Sequence, residues 1–308
     1  MQSPAVDTMD KYNENLTDVK EIFRKGDLRA IPKPLLKWYD NNRRILPWRE
    51  QPTPYRVWVS EIMLQQTRVE AVKPYFQRFM DTLPDIAALA EAPEETLLKL
   101  WEGLGYYNRV RNLQKAAIQI MEDYAGIMPD SYEELLKLKG IGSYTAGAVS
   151  SIAYGKPNPA VDGNVLRVIA RIRKDDRCIS EDKVKKDLWE VIPKDRPGDF
   201  NQAMMEIGAC VCIPNGAPHC EECPLRQICL AYEDGTQQQY PNKAKAKERT
   251  IEEKTILIIR DAELAVLHKR PSKGLLAGMY EFPSMKGFCT AEEVKEYLTE
   301  NGLQVLRI

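Results

Sequence analysis

The sequence predicts a mainly α-helical body followed by a smaller α+β region. Between residues 31 and 212 apolar side chains recur at helical spacing, in amphipathic segments separated by Gly and Pro. At Thr255 the pattern changes to short apolar runs at residues 255–259 and 264–270, with a turn between them. Such runs are typical of β-strands. The change of pattern therefore predicts two domains of different class.

The domain boundaries follow from length and composition. The chain has 308 residues, which is longer than one typical domain, and polar stretches lie at its start and between the two patterns. The last segment is short for an independent core and stops without a terminating signal, so we expect it to be incomplete. The predicted segments are an N-terminal extension (1–29), a helical body (30–230), a polar linker (231–253) and a truncated α+β domain (254–308).

Charge and hydropathy exclude several classes of protein. The formal net charge is −1, so nucleic-acid binding requires a local surface rather than an overall basic character. No apolar run has membrane-spanning length, and the N-terminal residues lack a signal-peptide pattern. We therefore expect a cytoplasmic protein that does not engage membranes.

A helix, a tight glycine turn and a second helix are predicted around residues 138–147. Ser131 and Glu134 have the spacing of a capping box that starts the first helix. Gly140 and Gly142 have no side chains, which allows the backbone to approach a neighbour closely. The free N–H groups at the start of the second helix suit a phosphate oxygen. The pattern predicts either a helix-hairpin-helix on DNA phosphate or an ordinary connection capped by glycine.

One strongly helical stretch, predicted over residues 55–79, contains a candidate acid. Glu61 lies between the apolar residues Val59 and Ile62, which indicates a partly buried carboxyl whose pKa burial would raise. A glutamate that faces solvent is the commoner arrangement and is the alternative. The polar run at residues 65–67 either reaches into a base stack or marks the end of the helix.

A second candidate carboxylate precedes the amphipathic helix that begins near residue 163. Asp162 and Asn164 are both residue types that cap helices. Because a helix start needs only one capping side chain, one of these two is not needed as a cap, and this favours a functional use for Asp162. Capping by Asp162 is the alternative.

Two loops carry planar and cationic side chains. Residues 41–49 are dense in arginine and tryptophan, and this loop either contacts phosphates and bases or anchors two helices. The anchoring interpretation is favoured for Trp48 taken alone. Residues 101–107 combine two glycines with two tyrosines whose flat faces suit unpaired bases.

A crowded group among the seven cysteines indicates a metal centre. The ligands predicted by spacing are Cys212, Cys220, Cys223 and Cys229, in a C-x7-C-x2-C-x5-C array. Four thiolates suit a tetrahedral zinc or a four-iron cluster, and the presence of only one C-x2-C pair favours iron–sulfur. Cys210 is a competing ligand, whereas Cys178 and Cys289 are interpreted as ordinary thiols.

Taken in order, these motifs resemble those of the helix-hairpin-helix DNA glycosylases of the endonuclease III superfamily. The greatest similarity is to the MutY family of adenine DNA glycosylases, which removes adenine mispaired with 8-oxoguanine. The resemblance is dense over residues 31–230 and continues into residues 274–283, which look like the family's Nudix-like C-terminal domain. The residues that carry it are 46–49, 58–67, 101–107, 138–147, 161–164 and the cysteine array.

The resemblance implies a two-lobed helical fold with the catalytic residues in the cleft between the lobes. Glu61 matches the general acid that protonates N7 of a flipped adenine, and Asp162 matches the carboxylate that stabilises the cationic sugar. Asn164 is implied to support Asp162. Tyr144 stands where endonuclease III carries a lysine nucleophile, so a monofunctional glycosylase without strand cleavage is expected.

The resemblance also implies a set of substrate contacts. Leu64, Gln66 and Tyr106 match positions that wedge into the base stack, and Arg44, Arg49 and Glu206 match the adenine pocket. The remaining residues of the predicted DNA-binding set are Trp48, Thr67, Gly140 and Gly142. The expected partner is double-stranded DNA with A:8-oxoguanine or A:G mispairs, bound by a monomer.

Two departures from the family pattern affect these expectations. The family's usual spacing has six residues between the first two cysteines, and this chain has seven, although the resemblance still implies a [4Fe-4S] cluster on the four cysteines. The family's loop that inspects oxidised guanine is expected beyond Ile308, so discrimination of 8-oxoguanine is expected to be poor. Residues 271–283 lack a glutamate-rich pyrophosphatase box, and no nucleotide hydrolysis is expected.

Two other functions compete with adenine excision. A bifunctional enzyme like endonuclease III would form a borohydride-trappable DNA adduct, and the missing lysine argues against it. A non-catalytic iron–sulfur DNA-binding module would bind duplex with strong salt dependence and release no base.

Overall fold

The computed structural model describes residues 24–177, 180–242, 250–271 and 274–308. The chain divides into two compact units, residues 1–244 and 245–308. Within the described residues, every helix is too short or too polar to cross a lipid bilayer.

Unit 1 is helical throughout its described part. Short 3-10 turns lie at Leu28–Ala30, Cys220–Glu222, Arg226–Ile228 and Gln237–Gln239. Its α-helices are α1 (Pro32–Asn42), α2 (Pro47–Glu50), α3 (Pro54–Leu64), α4 (Val69–Thr82), α5 (Ile86–Glu91), α6 (Glu94–Trp101), α7 (Asn108–Asp123), α8 (Tyr132–Lys137), α9 (Ser143–Ile152), α10 (Gly163–Arg173), α11 (Glu181–Trp189), α12 (Pro197–Cys210) and α13 (Leu230–Glu233).

Two hydrophobic cores divide unit 1 into two lobes. The first core lies within α2–α9 and includes the fully buried Trp58 and Trp101. The second joins α1 to α10–α12, where Tyr39 and Phe200 are buried together. A ring of this size removes about 150–250 Å² from water when it is buried, so these aromatics stabilise each lobe. The predicted mainly α-helical, two-lobed fold is confirmed.

The structure has two helices where one was predicted over residues 55–79, so the prediction of a single continuous helix was wrong. Helix α3 ends at Leu64 and α4 begins at Val69, because Gln66 adopts a left-handed backbone with φ +59°. Of the two interpretations of residues 65–67, the helix-end interpretation describes the backbone. The break coincides with the polar run at residues 65–68, which the sequence alone did not distinguish from a solvent-exposed face of a continuing helix.

The hairpin between α8 and α9 forms as predicted, but only one of the two hydrogen bonds of the predicted capping box is present. The Ser131 hydroxyl accepts a hydrogen bond from the Glu134 N–H at 3.1 Å, but the Glu134 carboxylate contacts Tyr124 and Lys137 instead of the cap. Gly140 has φ +78°, and a Cβ there would lie 2.8 Å from Asn112 Cβ. A glycine is therefore required at this position by both conformation and space.

The helical body is longer than the predicted boundaries of 30 and 230. Leu28 is buried, so residues 24–29 belong to the body rather than to a loosely packed extension; residues 1–23 lie outside the described part. Ala231 and Tyr240 pack on Ala170, and Arg171 Nε donates to the Tyr240 carbonyl at 3.2 Å. Polar composition concealed these contacts in the predicted linker, of which residues 243–249 are not described.

Unit 2 contains β1 (Lys254–Ile256), β2 (Arg260–Asp261), β3 (Leu264–Ala265), β4 (His268–Lys269), β5 (Tyr280–Glu281), β6 (Ser284–Lys286) and α14 (Ala291–Glu300). Its strands pair antiparallel as β1 with β6, β2 with β3 and β4 with β5. Thr290 and Glu293 form a complete capping box at the start of α14. The predicted α+β character is confirmed for the described residues, and the Nudix likeness stays a prediction.

Candidate active site

A cavity of about 700 Å³ lies between the two lobes of unit 1. Both lobes contribute to its wall, through α3 and α9 on one side and α12 with residues 161–164 on the other. The sequence-predicted site residues that line it are Arg44, Trp48, Arg49, Glu61, Leu64, Gln66, Tyr144, Asp162, Asn164 and Glu206. Four other predicted DNA contacts lie outside this wall, namely Thr67, Tyr106, Gly140 and Gly142.

Glu61 is a buried acid on the inner face of α3. Glu61 is only 6% exposed, which excludes the alternative of a glutamate that faces solvent. Burial raises its pKa to about 7, the hydrogen bond from Tyr144 opposes this rise, and the negative charge of Asp162 adds to it. A large part of the Glu61 carboxyl is therefore protonated at neutral pH.

Tyr144, the second residue of α9, carries a hydroxyl that contacts the acid. This hydroxyl forms a hydrogen bond with Glu61 Oε2 and lies 3.1 Å from Met205 Sδ. Burial raises its pKa well above the usual range, and the charges of Glu61 and Asp162 raise it further. Tyr144 is therefore a neutral phenol that orients the Glu61 carboxyl.

Asp162 is the N-cap of α10. Its Oδ1 accepts hydrogen bonds from the N–H groups of Asn164 at 2.9 Å and Val165 at 2.8 Å. Its Oδ2 accepts from Asn164 Nδ2 at 2.7 Å. The assumption that Asn164 caps the helix and leaves Asp162 free was wrong. Asp162 caps with one oxygen, and the Asn164 side chain holds the other in the cavity wall.

A chain of hydrogen bonds continues from Asn164 to the cysteine loop. Asn164 Oδ1 accepts from Arg167 Nη2 at 2.8 Å, and Arg167 Nε donates to the Cys212 carbonyl at 2.8 Å. Gly208 permits this packing, since a Cβ there would lie 2.6 Å from Asn164 Cβ. Sequence reasoning missed Arg167. The available signal was the spacing of Asn164, Arg167 and Arg171, which places three polar side chains on one face of α10.

Glu206, on α12, joins two arginines in the cavity wall. Arg44 Nε donates to Glu206 Oε1 at 2.7 Å, and Arg49 Nη2 donates to Oε2 at 2.9 Å. Burial alone would raise the pKa of Glu206, but the hydrogen bonds from Arg44 and Arg49 outweigh it and lower the pKa to about 2. The three side chains therefore present fixed charges to the cavity.

The remaining predicted contacts occupy different environments. Trp48 is buried edge-on against Phe76 at 5.4 Å, so it anchors helices as well as lining the cavity. The Thr67 hydroxyl lies 3.4 Å from the Gln65 carbonyl. Tyr106 is 67% exposed, and a Cβ on Gly142 would meet no described atom within 4 Å.

The four predicted cysteine ligands surround one small cavity, whose wall consists of Arg171, Val211, Cys212, Pro218, Cys220, Cys223, Arg226, Cys229, Tyr232 and Gln237. Arg171 Nη1 lies 3.2 Å from Cys212 Sγ, and Gln237 Nε2 lies 3.6 Å from Cys220 Sγ. A cation and an N–H donor beside sulfur suit thiolates that carry negative charge. Cys210 is exposed and is not in this wall; Cys178 is not described, and Cys289 is a half-buried free thiol.

Within the described ranges, no set of three or more His, Cys, Asp or Glu side chains is grouped to hold a single metal ion. A four-iron cluster separates its thiolate ligands more widely than a tetrahedral zinc does. Four thiols around a common cavity form a donor set that suits a metal centre.

Residues 59–194 match the family described as HhH-GPD superfamily base excision DNA repair protein. An adenine DNA glycosylase of Buchnera aphidicola (from Acyrthosiphon pisum) is 37% identical over 276 residues, which cover 88% of this chain and 78% of that protein. The chain belongs to the adenine DNA glycosylase family. The adenine DNA glycosylases of Arabidopsis thaliana and Homo sapiens are 37% and 36% identical, over 87% and 86% of this chain.

The chain spans 49% of the Arabidopsis relative and 59% of the human one. Among solved structures, a thermostable thymine-DNA glycosylase is similar with a TM-score of 0.61 at 26% identity, over 73% of this chain and 99% of the other. An endonuclease III trapped as a covalent intermediate with DNA is similar with a TM-score of 0.61 at 27% identity, over 70% of this chain and 99% of the other. The helical body therefore has the endonuclease III-like fold.

Proposed function

We propose that this protein is a monofunctional adenine DNA glycosylase of base excision repair. The observation that carries the proposal is the cavity in which a protonatable Glu61 and the hydrogen-bonded Asp162 carboxylate face the same space. One carboxyl that holds a proton and one that holds a charge are what cleavage of a glycosidic bond requires. The printed names of the relatives support adenine as the base.

In the proposed reaction the bond between adenine N9 and the sugar C1′ breaks. Glu61 donates its proton to N7 of the adenine, so that the base leaves as a neutral molecule. The negative charge of Asp162 stabilises the positive charge that develops on the sugar. A water molecule then forms a bond to C1′ and releases a proton, which restores the Glu61 acid. Tyr144 keeps the Glu61 carboxyl aligned, and Asn164 keeps Asp162 Oδ2 aligned.

Glu206, Arg44 and Arg49 are proposed to recognise the flipped base. Their mutual ion pairs fix a carboxylate and two guanidinium groups in the cavity wall. Adenine presents donor and acceptor atoms at its edges, which such groups can read when water is excluded. The apolar residues Trp48 and Leu64 complete the wall beside them.

Binding of duplex DNA is proposed to use local features, because the net charge is −1. The open N-terminus of α9 at Gly142 suits a phosphate, and the exposed Gln66 and Tyr106 suit insertion between bases. Adenine opposite 8-oxoguanine or guanine is the proposed substrate, bound by a monomer. The chain spans only part of its longer relatives. The preference for 8-oxoguanine or guanine as the opposite base is therefore to be measured directly on this chain.

The proposal that the enzyme is monofunctional rests on the hairpin position of Tyr144. A phenol cannot form a Schiff base, and the described residues of the cavity wall include no lysine. A bifunctional enzyme would leave a covalent adduct with DNA after borohydride treatment. We expect no such adduct from the wild type.

The direct test is chromatographic detection of free adenine. The full chain is incubated with three duplexes, in which one adenine lies opposite 8-oxoguanine, guanine or thymine. Adenine released from the two mispaired duplexes, but not from the A:T duplex, supports the proposal. Duplex binding without any released base would establish the non-catalytic alternative instead.

The pH dependence of adenine release is a prediction of its own. Glu61 must be protonated to act as an acid, and its pKa is raised to about 7 by burial. The single-turnover rate is therefore expected to be constant at pH values below that pKa and to fall about tenfold per pH unit above it. Measurement between pH 5.5 and 9 tests this, and a rate that rises with pH across that window would contradict the assignment of Glu61 as acid.

We further propose that the four cysteines hold a [4Fe-4S] cluster. The ring of thiols, the adjacent Arg171 and the exclusion of Cys210 from the wall support this. Such a cluster would act as a structural cross-link, since it would tie the loop at residues 212–229 to the body. Arg171 would balance its charge, and Arg167 would connect the Cys212 carbonyl to Asn164.

Cys220→Ser is expected to lower cluster loading before it affects chemistry. Loss of one thiolate should reduce the visible absorbance per protein by more than about half and lower the thermal midpoint by about 5–10 °C. Cys289→Ser is the matched control, because Cys289 lies in unit 2 and should change neither quantity. A stable, fully active Cys220→Ser protein without visible absorbance would contradict the structural role.

A further inference from the structure

Gln66 and Tyr106 are two of the exposed non-glycine residues of the first lobe that adopt left-handed backbones. Gln66 has φ +59° in the α3–α4 turn, and Tyr106 has φ +48° in the α6–α7 turn. L-residues rarely adopt this conformation, because Cβ then crowds the following carbonyl. Surrounding contacts must therefore hold both residues in place, and such strain is common at functional sites.

Both turns are fastened by the same guanidinium group. Arg109, the second residue of α7, donates from Nη1 to the carbonyl of Gln65, and from Nη2 to the carbonyl of Gly105 at 3.2 Å. Gln65 and Gly105 immediately precede Gln66 and Tyr106. One side chain thus binds the peptide group that leads into each left-handed residue.

Further contacts make this guanidinium a bridge between two helix ends. Nη1 also binds the Ile62 and Met63 carbonyls of the last turn of α3, at 2.9 and 3.1 Å, and Nη2 binds the Leu104 carbonyl after α6 at 2.9 Å. These are carbonyls that a helix or turn leaves without a partner, and a cation satisfies them well. Arg109 also lies 5.4 Å from the centre of the Trp101 ring.

We propose that Arg109 is a positioning residue that presents Gln66 and Tyr106 to DNA as one rigid wedge. This inference rests on the proposed function, because it assigns the wedge to the site where the flipped adenine leaves the duplex. Gln66 lines the catalytic cavity while remaining exposed, and Tyr106 projects into solvent from the adjoining turn. Rigidity matters because ordering two loops on binding would otherwise reduce affinity.

Arg109→Lys tests the proposal. An ammonium group keeps the charge but lacks the planar fork that reaches both sets of carbonyls. The variant is expected to lose about tenfold in the ratio of Kd values between a fully paired duplex and a mispaired duplex, a typical size for coupled contacts. The mispaired duplex carries a non-cleavable 2′-fluoro-adenosine, so that binding is measured without reaction.

Two readouts separate positioning from general loss of structure. A 2-aminopurine next to the mispair should become more fluorescent when the wild type binds, and Arg109→Lys should lose most of this increase. The thermal midpoint of Arg109→Lys should stay high enough for the variant to be fully folded in the binding experiment. The salt dependence of Kd should keep its slope, since a lost phosphate contact would reduce that slope by about one. Arg111→Lys on the same helix is the control, because Arg111 pairs with Glu94 at 2.8 Å.

A double-mutant cycle decides the question. If Arg109 acts through the wedge, Arg109→Lys should cost no further discrimination in a chain that already carries Gln66→Ala and Tyr106→Ala. Equal losses in both backgrounds would overturn the proposal, as would a normal 2-aminopurine signal in Arg109→Lys. A wild type that binds mispaired and paired duplexes equally would instead contradict the proposed function, and the wedge with it.

Discussion

Glu61→Gln is expected to slow adenine release by about 10²–10⁴-fold, the range that general acids contribute. The glutamine keeps the size of the side chain and a hydrogen bond to Tyr144, but it has no proton to give. Because Glu61 is buried and its negative form is disfavoured, the uncharged amide should not destabilise the fold above pH 7. The Kd for a mispaired duplex should therefore stay within about threefold of wild type.

Single-turnover kinetics with excess enzyme measure this effect separately from binding. Glu61→Asp is the matched comparison, since it retains an acid one methylene group further from the base. It should lose less activity than Glu61→Gln and keep a rate that falls at high pH. A Glu61→Gln enzyme with more than about a tenth of the wild-type rate would remove Glu61 from the mechanism.

Asp162→Asn is expected to lower the rate of adenine release by about 10²–10³-fold, as the loss of one electrostatic contact to a developing charge does. Asparagine is as good a helix cap as aspartate, so it should still accept hydrogen bonds from the Asn164 and Val165 N–H groups. The charge facing the sugar disappears while α10 keeps its start. The amide NH₂ stands where Asp162 Oδ2 accepted from Asn164 Nδ2, so that side-chain hydrogen bond is lost together with the charge. Because the two capping hydrogen bonds remain, the substitution still separates the role of the carboxylate in the cavity from capping.

Urea unfolding and single-turnover rates should be compared for this variant. The urea concentration at the midpoint of unfolding should stay close to that of the wild type, whereas the rate of adenine release should fall by the factor given above. Asp85→Asn is a matched control, because Asp85 caps α5 by accepting from the Ala88 N–H at 2.8 Å and lies outside the cavity wall. Equal rates for both variants would show that Asp162 acts only as a cap.

The helical character of the body and the burial of Glu61 could be predicted because their signals are local. Apolar neighbours within one turn indicated the burial of Glu61, and helical spacing predicted a mainly α-helical body, whereas the two lobes were implied by the family resemblance. The cysteine array was visible as spacing alone. By contrast, the left-handed backbone of Gln66 was not predicted because it depends on Arg109, which lies in another helix.

Long-range hydrogen bonds account for most of what the sequence did not reveal. Tyr144 meets Glu61 across 83 positions of chain, and Arg167 meets the Cys212 carbonyl across 45. No periodicity encodes such pairs. The sequence did not show whether Asp162 or Asn164 caps α10 for a different reason, since both residue types cap helices equally well and only the three-dimensional position of each side chain distinguishes them.

The most direct test of adenine excision without strand cleavage uses one end-labelled duplex with adenine opposite 8-oxoguanine. Wild-type protein is incubated with it, and the products are separated with and without hot alkali, beside the Glu61→Gln variant. We predict strand breaks at the adenine only after alkali, and almost none with the variant. Breaks without alkali, or a variant as active as the wild type, would contradict the account.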